Sequence, residues 1–197
     1  NDAWEDNIKE VLLGLKKFVD QGKIRHIGLS NETPWGIMKY NEYAKEFDLP
    51  KVQSVQNAYS LLTRSYEVGA AEVSIREKCG LLAYSPLGFG MLSGKYRNGK
   101  LPAGARLTDF PNFARYSSEN SHKAVELYYQ LAQDLGVSLP TLALAFVNNR
   151  PFVTSNIIGA TNMDQLKENV ASIHFEWTAE IEKAVNEIHS LIPDPAP

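Results

Sequence analysis

Apolar residues recur along the chain with two alternating spacings, and each spacing is typical of one kind of secondary structure. Between residues 4 and 20 they return every three or four positions, which predicts an amphipathic helix. By the same spacing we expect further helices over about 34–47, 68–78, 119–135, 140–149, 164–172 and 179–191. Short apolar runs between the helices predict four strands, at 24–29, 52–56, 81–84 and 153–158.

This alternation of strands and helices predicts an α/β fold built on a parallel sheet. Two architectures fit the pattern, a doubly wound open sheet and a piece of a (β/α)8 TIM barrel. A complete barrel typically takes about 250 residues or more. A chain of 197 residues would supply only four of its eight strands.

Two segments fall outside the alternation. The run from Pro86 to Pro111 is rich in glycine and proline, and loops of that length are usually functional. After the last predicted helix comes a proline-rich end, Pro193–Pro197, which we expect to be a frayed tail.

Composition narrows the classes of partner. The net charge of −3 provides no basic field for nucleic acid, and no apolar run approaches the roughly 20 residues of a membrane span. The one cysteine, Cys79, excludes an internal disulfide and a zinc site of paired thiolates, so a cytoplasmic setting is the default expectation. The first residues contain neither Met nor a signal-peptide pattern, and we therefore expect that they are not a natural start.

Small and polar residues follow every predicted strand: Ser30-Asn31, Gln56-Asn57, the run from Tyr84 to Gly90, and the run from Gly159 to Asn162. In a parallel barrel the carboxyl ends of the strands form one face, and active sites lie there. Phosphate sites commonly use the loops after the last two strands, where this chain has its glycines. Taken singly, each feature also has an ordinary interpretation as a turn or a helix cap.

Other site chemistries find little support. Gly88 and Gly90 begin a dinucleotide fingerprint, but its third glycine position is Ser93, so a Rossmann site is rejected. The histidines have no ligand-like neighbours in sequence and are interpreted as structural or solvated; they are His26, His122, His174 and His189. Cys79 is interpreted as a packing residue. No metal site is predicted.

Four segments together resemble one known family. They are GKIRHIGLSN at 22–31, VQNAYSLL at 55–62, YSPLGFGMLSGKY at 84–96 and IGATNMDQLKEN at 158–169. Their order and sequence are similar to those of the aldo-keto reductases, in the branch that includes Tas-like proteins and potassium-channel β-subunits. The resemblance implies that residues 1–197 are the C-terminal half of a single (β/α)8 barrel domain.

The resemblance also implies roles for individual residues, because the family reduces aldehydes and ketones with NADPH. Four residues would hold the nicotinamide, with the last stacking on its ring: Ser30, Asn31, Gln56 and Tyr84. The pyrophosphate would lie against Ser85, Leu87, Gly88 and Gly90, with positive charge from Lys95 and Arg106. The adenosine 2′-phosphate would lie near Gly159, Thr161 and Gln165, and the adenine near Glu168 and Asn169. Many members place Lys or Arg beside that phosphate, whereas the nearest cation here is Lys167; NADP is favoured over NAD.

The family's catalytic Asp, Tyr, Lys and His belong to the first half of the barrel, so no catalytic residue is assigned in this chain. Four strands alone would leave two unpaired edges and an uncovered apolar face. Either the chain is part of a longer polypeptide, which we favour, or two copies complete one barrel. The oligomeric state stays open.

Three functions remain. The first is an NADP(H)-dependent reductase of small carbonyl substrates, as the parent protein. The second is a cofactor-binding module without turnover, like the redox-sensing channel subunits. The third is an unrelated α/β domain. Phe110, Phe113 and Tyr116 suggest an apolar substrate wall, or they pack the long loop.

Overall fold

A computed structural model describes residues 7–110 and 114–196, and the structural statements below concern those residues. The strands are β1 (Ile27–Ser30), β2 (Val52–Ala58), β3 (Gly80–Tyr84) and β4 (Val153–Asn156). The helices are α1 (Ile8–Asp20), α2 (Pro34–Glu46), α3 (Ala70–Glu77), α4 (Arg106–Asp109), α5 (Glu119–Asp134), α6 (Leu139–Asn148), α7 (Met163–Ala171) and α8 (Ala179–Leu191). The predicted elements are present with ends shifted by a few residues; the predicted start of the first helix lies outside the described residues.

The four strands form one sheet in the order β1-β2-β3-β4, and every neighbouring pair is parallel. Strands consecutive in the chain are therefore neighbours in the sheet, and the order never reverses. A doubly wound sheet does reverse its strand order, at the switch point. The observed α/β sheet is instead consistent with part of a (β/α)8 barrel.

Five helices begin at a side chain that caps the first turn. Each capping oxygen accepts a hydrogen bond from the backbone N–H three residues later, at Thr33, Ser118, Ser138, Asn162 and Thr178. Such caps satisfy amides that the helix itself leaves unpaired. The start of each of these helices is therefore determined by residues that are adjacent to it in the sequence. This is why the spacing of apolar residues, together with the polar residue before it, predicts a helix start well.

The glycine- and proline-rich segment after β3 is folded rather than extended. It contains helical turns at Gly88–Ser93 and Arg97–Gly99 and then α4. The Leu107 N–H donates to the Tyr96 hydroxyl at 3.0 Å, and Arg97 forms an ion pair with Glu126 of α5 at 2.7 Å. These contacts fix the long segment above the end of β3.

One face of the sheet, which we call the open face, carries small and polar side chains. The register pairs Gly28 with Ser54 and Ser54 with Gly80, and partners in a parallel ladder share a face. A Cβ on Gly28 would lie 2.7 Å from Ser54 Oγ, and one on Gly80 would lie 1.8 Å from Thr154 Oγ1. Nearer the strand ends the same face carries Ser30, Gln56, Leu82 and Ser155. The open face is therefore not the uncovered apolar face that was predicted, because Leu82 is the one large apolar residue in this set.

The opposite face packs against helices and forms the core. Val55, Leu81 and Ala83 point to that side and are buried. The most deeply buried helix is α6, in which Leu142–Val147 are inaccessible to solvent. Within residues 7–110 and 114–196, no single helix has the length and apolar composition to cross a membrane; only α5 and α6 taken together, across a bend of 95°, pass that test.

Residues 194–196, which we call the C-terminal strap, are docked against the loop after β2. Ala196 N–H donates to Leu62 O at 3.0 Å, and Thr63 Oγ1 donates to Ala196 O at 2.6 Å. The hydroxyls of Ser118 and Ser121 both donate to Pro195 O at 3.0 Å. The expected frayed tail is therefore wrong for these residues, since the strap satisfies backbone groups that the loop would otherwise leave unpaired. Residue 197 lies outside the described residues.

A polar network, which we call the α8 network, joins α8 to the same loop. Arg64 donates to both carboxylate oxygens of Glu67, at 2.9 and 2.8 Å, and to Asn186 Oδ1 of α8 at 2.8 Å. Asn186 donates in turn to Glu182 Oε1 at 3.1 Å. Arg150 forms a bidentate ion pair with Glu182. Its members are Tyr59, Arg64, Glu67, Arg150, Trp177, Glu182 and Asn186.

Candidate functional site

Four of the predicted site residues meet at the carboxyl ends of the first three strands. Ser30 is paired in register with Gln56, and both side chains are exposed on the open face. Asn31 follows β1, and its N–H donates to Gln56 O at 2.9 Å. From β3, the Tyr84 hydroxyl donates to Asn31 Oδ1 at 2.7 Å. We call these four residues the open-face cluster.

Asn31 has a left-handed backbone conformation, with φ of 52°. Asparagine tolerates this region better than most residues that carry a Cβ. The conformation turns the chain away from the ladder immediately after Ser30. The cluster thus presents amide and hydroxyl groups, which donate and accept hydrogen bonds, beside an aromatic ring. This combination suits a flat ligand that carries a carboxamide.

Two glycines of the turn after β3 lie close to neighbouring side chains. Ser85, Gly88, Phe89 and Gly90 all have positive φ, between 53° and 93°. A Cβ on Gly88 would lie 3.1 Å from Leu62 and 3.3 Å from the ring of Tyr116. The Gly88 N–H donates to Ser85 O and the Gly90 N–H to Leu87 O, each at 2.9 Å. The turn is therefore closed by its own backbone hydrogen bonds, and its glycines let the backbone lie close to Leu62 and Tyr116.

Two exposed cations flank that turn. A Cβ on Gly90 would lie 2.8 Å from Lys95 Cε, so glycine lets the lysine stem cross the turn. The Arg106 guanidinium, at the start of α4, lies 5.0 Å from the centroid of the Phe89 ring. Arg97 differs from both because Glu126 neutralises it. Lys95 and Arg106 therefore contribute positive charge beside the predicted pyrophosphate turn.

The remaining predicted residues lie in the turn between β4 and α7 and within α7 itself. Gln165 Oε1 accepts hydrogen bonds from the N–H and hydroxyl of Thr161, at 2.9 and 3.0 Å. Asn169 is buried, and its Nδ2 donates to Gly159 O at 3.1 Å. Glu168, one residue earlier, is half-buried. Ile157 N–H donates to Ala83 O at 2.8 Å, which sets this turn beside the one after β3.

Tyr116 supports the glycine turn rather than forming a ligand wall. Its side chain is buried, and its ring lies 4.9 Å from that of Phe89. Burial raises the pKa of Tyr116, while the positive charge of Arg115 and hydrogen bonds to Ser85 and Thr63 lower it in part. Phe110 is exposed, and Phe113 lies outside the described residues. The packing interpretation therefore holds for Tyr116.

Other titratable groups lie apart from these turns. His26, His122 and His174 are exposed, and His26 precedes β1 rather than lying in a strand. Burial raises the pKa of the Cys79 thiol to about 11, as for a packing residue. Over the described ranges, no three His, Cys, Asp or Glu residues group closely enough to hold a metal ion.

One pair near the site was missed from the sequence. The Asn57 side chain joins the backbone of Glu32 by two hydrogen bonds, of 3.0 and 3.1 Å. A polar residue on the same side of β2 as the buried Val55 was the available signal. The motif resemblance did not draw attention to it, because Asn57 stands between the positions that the motif assigns.

A parallel sheet in sequential order, with polar groups gathered at the carboxyl ends of its strands, is typical of the α/β class and is consistent with part of a (β/α)8 barrel. Comparison with known proteins identifies the particular family. The chain belongs to the Aldo/keto reductase family, whose sequence profile matches residues 1–190.

Its relatives include several oxidoreductases and a channel subunit. Protein tas of Escherichia coli is 48% identical over 99% of this chain and 58% of that protein. A putative voltage-gated potassium channel subunit beta of Schizosaccharomyces pombe is 29% identical over 94% and 56%. The NADH-specific methylglyoxal reductase of E. coli is 31% identical over 85% and 49%. The resemblance seen in the sequence is confirmed, and the chain spans 58% of the length of the E. coli tas protein.

Proposed function

We propose that the chain forms the C-terminal half of an NADP(H)-dependent aldo-keto reductase barrel and holds its nicotinamide cofactor. The observation that carries the proposal is the open-face cluster, in which Asn31 is fixed between Gln56 O and the Tyr84 hydroxyl. Membership of the family supports the same proposal. When bound, NADPH supplies the hydride that reduces a small aldehyde or ketone.

In this proposal each turn holds one part of the cofactor. Ser30, Asn31 and Gln56 bind the carboxamide, and Tyr84 covers one face of the ring so that the other stays open to substrate. The backbone from Ser85 through Leu87 and Gly88 to Gly90 cradles the pyrophosphate, with Lys95 and Arg106 nearby. The steric demand at Gly88 supports such a cradle, since a side chain there would meet Leu62 and Tyr116.

The adenosine end would lie over the β4–α7 turn. The first amides of α7, with Gly159, Thr161 and Gln165, face the 2′-phosphate in this proposal, and Glu168 and Asn169 adjoin the adenine. Lys167 is exposed and lies within α7. One relative is named as NADH-specific, so NADP preference is a separate point to measure. Titration with NADPH and NADH in parallel tests it, and a stronger affinity for NADH would overturn the preference.

The acid–base residues of the reaction would come from a preceding half of the barrel. β1 and β4 are the two edges of the sheet. Beside β4, α7 and the turn after it expose an apolar stripe with helical spacing, formed by Met163, Leu166, Val170 and Ile173. An upstream half in the same polypeptide would pair with β4 and cover this stripe. The alternative occupant is a second copy of this chain.

The binding test uses the full-length polypeptide and the quenching of its fluorescence by NADPH. We expect Gln56→Ala and Tyr84→Ala each to weaken binding about tenfold, the equivalent of roughly 1.4 kcal/mol. Gln53→Ala on the same strand is the matched control, because its side chain is exposed and its amide donates to Lys51 O, two residues away. Unchanged affinity in both site variants would refute the assignment of the cofactor site.

A second function is a cofactor-binding module without turnover. The similarity to the S. pombe channel subunit favours it, since that match covers 94% of this chain. The two functions differ in one measurement. Oxidation of NADPH in the presence of a panel of aldehydes and ketones supports the reductase, whereas tight NADPH binding without any oxidation supports the module.

A further inference from the structure

The side chain of Asn57 makes a paired contact with the backbone of a residue 25 positions earlier. Asn57 Nδ2 donates to Glu32 O at 3.0 Å, and Glu32 N–H donates to Asn57 Oδ1 at 3.1 Å. β1 ends at Ser30, so the backbone ladder with β2 has already ended there. The amide of Asn57 continues the pairing of the two segments by one further step.

This contact fixes the chain directly after Asn31. Asn31 has φ of 52°, a left-handed conformation that asparagine adopts more readily than most residues and that neighbouring contacts hold in place. Its own N–H is bound to Gln56 O, and its side chain accepts from Tyr84. Asn57 supplies the remaining support, on the C-terminal side of the turn.

Asn57 lies on the opposite side of the sheet from the open-face cluster. Its register partner is Ala83, which is buried, whereas the neighbouring Gln56 is paired with Ser30 on the open face. A ligand on the open face therefore has no contact with the Asn57 amide. Any effect of Asn57 on such a ligand must act through the turn that carries Ser30 and Asn31.

The contact requires an amide rather than a carboxylate. Glu32 presents one donor and one acceptor, and an asparagine side chain has one of each at the matching spacing. An aspartate of the same shape would still accept from Glu32 N–H, but it would place a second acceptor against Glu32 O. The Glu32 carboxylate is itself engaged, accepting from Thr33 N–H at 2.8 Å.

We propose that Asn57 is a positioning residue for the nicotinamide end of the cofactor. It holds the Ser30–Asn31 turn in the conformation that presents both side chains to the carboxamide. This inference rests on the proposed function, because it assumes that the open-face cluster binds the nicotinamide. The inference concerns the nicotinamide end alone, because the β4–α7 turn, proposed for the adenosine end, is held by separate hydrogen bonds.

The test compares two ligands on the full-length Asn57→Asp variant. NADPH contains the nicotinamide, whereas adenosine 2′,5′-bisphosphate contains only the adenosine end. We expect the affinity for NADPH to fall about tenfold and the affinity for the bisphosphate to stay within about twofold. Gln53→Glu is the matched control, because it makes the same amide-to-carboxylate change at an exposed position of β2.

Three outcomes overturn the inference. They are unchanged NADPH affinity in folded Asn57→Asp, an equal loss for both ligands, and an equal loss of NADPH affinity in Gln53→Glu. If wild-type protein binds the bisphosphate but not NADPH, or binds neither, the proposed function itself fails and takes the inference with it. If Asn57→Asp loses affinity for NADPH but not for the bisphosphate, the result supports both the proposed function and the inference.

A second variant covers the case in which Asn57→Asp does not fold. In Asn57→Ala, hydrogen exchange at the amides of residues 31–33 should be faster than in wild type, and NADPH should restore less protection there. Exchange at Thr161 and Gln165 should be unaltered. Wild-type exchange rates at residues 31–33 in Asn57→Ala would overturn the inference.

Discussion

The open-face cluster and the α8 network use the same side-chain chemistry in opposite surroundings. In each, a tyrosine hydroxyl donates to an oxygen of another side chain: Tyr84 to Asn31 and Tyr59 to Glu67. Arg64 of the α8 network is only 6% exposed, whereas Ser30 and Gln56 of the cluster face solvent. Buried polar groups must satisfy one another, while exposed ones keep capacity for a ligand. Burial, rather than residue type, therefore separates the polar groups that hold this fold from those that can bind.

The largest expected effect comes from removing the central cation of the α8 network. Arg64→Ala leaves the Glu67 carboxylate without its bidentate partner in a largely buried site, so we expect a loss of about 3 kcal/mol in the free energy of unfolding. Urea denaturation measures it. Arg76→Ala, which breaks an exposed pair with Glu72, is the control and should cost less than about 0.5 kcal/mol. Equal losses in the two variants would show that burial does not distinguish them.

The second effect is a dependence of stability on pH. The hydrogen bond from Arg150 lowers the pKa of Glu182 to about 2, from an ordinary value of 4.5. A depressed carboxyl pKa stabilises the fold above the ordinary value, and that contribution is lost as the pH falls from about 4.5 to about 2. Allowing for partial exposure, we expect about 2 kcal/mol from this group.

The check is a pair of urea titrations, at pH 3 and pH 7, on wild type and Glu182→Gln. The variant should be less stable at pH 7 and should lose less stability than wild type on acidification. If the free energy of unfolding of Glu182→Gln falls as much as that of wild type between pH 7 and pH 3, Glu182 is not the cause of the pH dependence.

The first two effects concern stability, whereas the third should appear in NADPH binding and not in the free energy of unfolding. Tyr84→Phe removes the hydroxyl that fixes Asn31 but keeps the aromatic ring. We expect NADPH affinity to fall about fivefold, close to 1 kcal/mol, with the unfolding free energy within about 0.5 kcal/mol of wild type. Calorimetric titration and urea denaturation of one preparation give both numbers. A stability loss without a binding loss would contradict the comparison.

The smallest effect is expected at the β4–α7 turn, where hydrogen bonds are local and exposed. Gln165→Ala removes the acceptor of Thr161 N–H and hydroxyl, four residues away. NADPH affinity should fall about threefold, since a single neutral hydrogen-bond partner is worth about 0.5–1 kcal/mol. NADH lacks the 2′-phosphate, so its affinity should change less. An equal change in the affinities for NADPH and NADH would show that Gln165 does not contribute to binding of the 2′-phosphate.

Sequence reasoning recovered what is locally determined in this fold. Helix caps such as Thr33 and Asn162 lie within the segments that they begin, and the strand ends carry their polar residues in adjacent positions. The same locality let the motifs at 22–31 and 84–96 indicate the open-face cluster before its geometry was known. The parallel order followed from the alternation of elements.

The misses share a physical cause, which is contact between distant residues. The docking of residues 194–196 depends on Leu62 and Thr63, and nothing near the C-terminal segment indicates those partners. The contact of Asn57 with Glu32 is hidden for the same reason. The polar character of the open face also depends on such contacts, because Gly28 and Gly80 make room for Ser54 and Thr154 of the neighbouring strands.

The C-terminal strap also imposes an order of events on synthesis. Thr63 and Ala196 are separated by 133 positions. At about 5–20 residues per second, roughly 7 to 27 seconds pass between the synthesis of one partner and the other. During that interval the loop after β2 presents Leu62 O and the Thr63 hydroxyl without the group that finally binds them. The glycine turn that rests on Leu62 thus acquires its complete support only after translation has reached the strap.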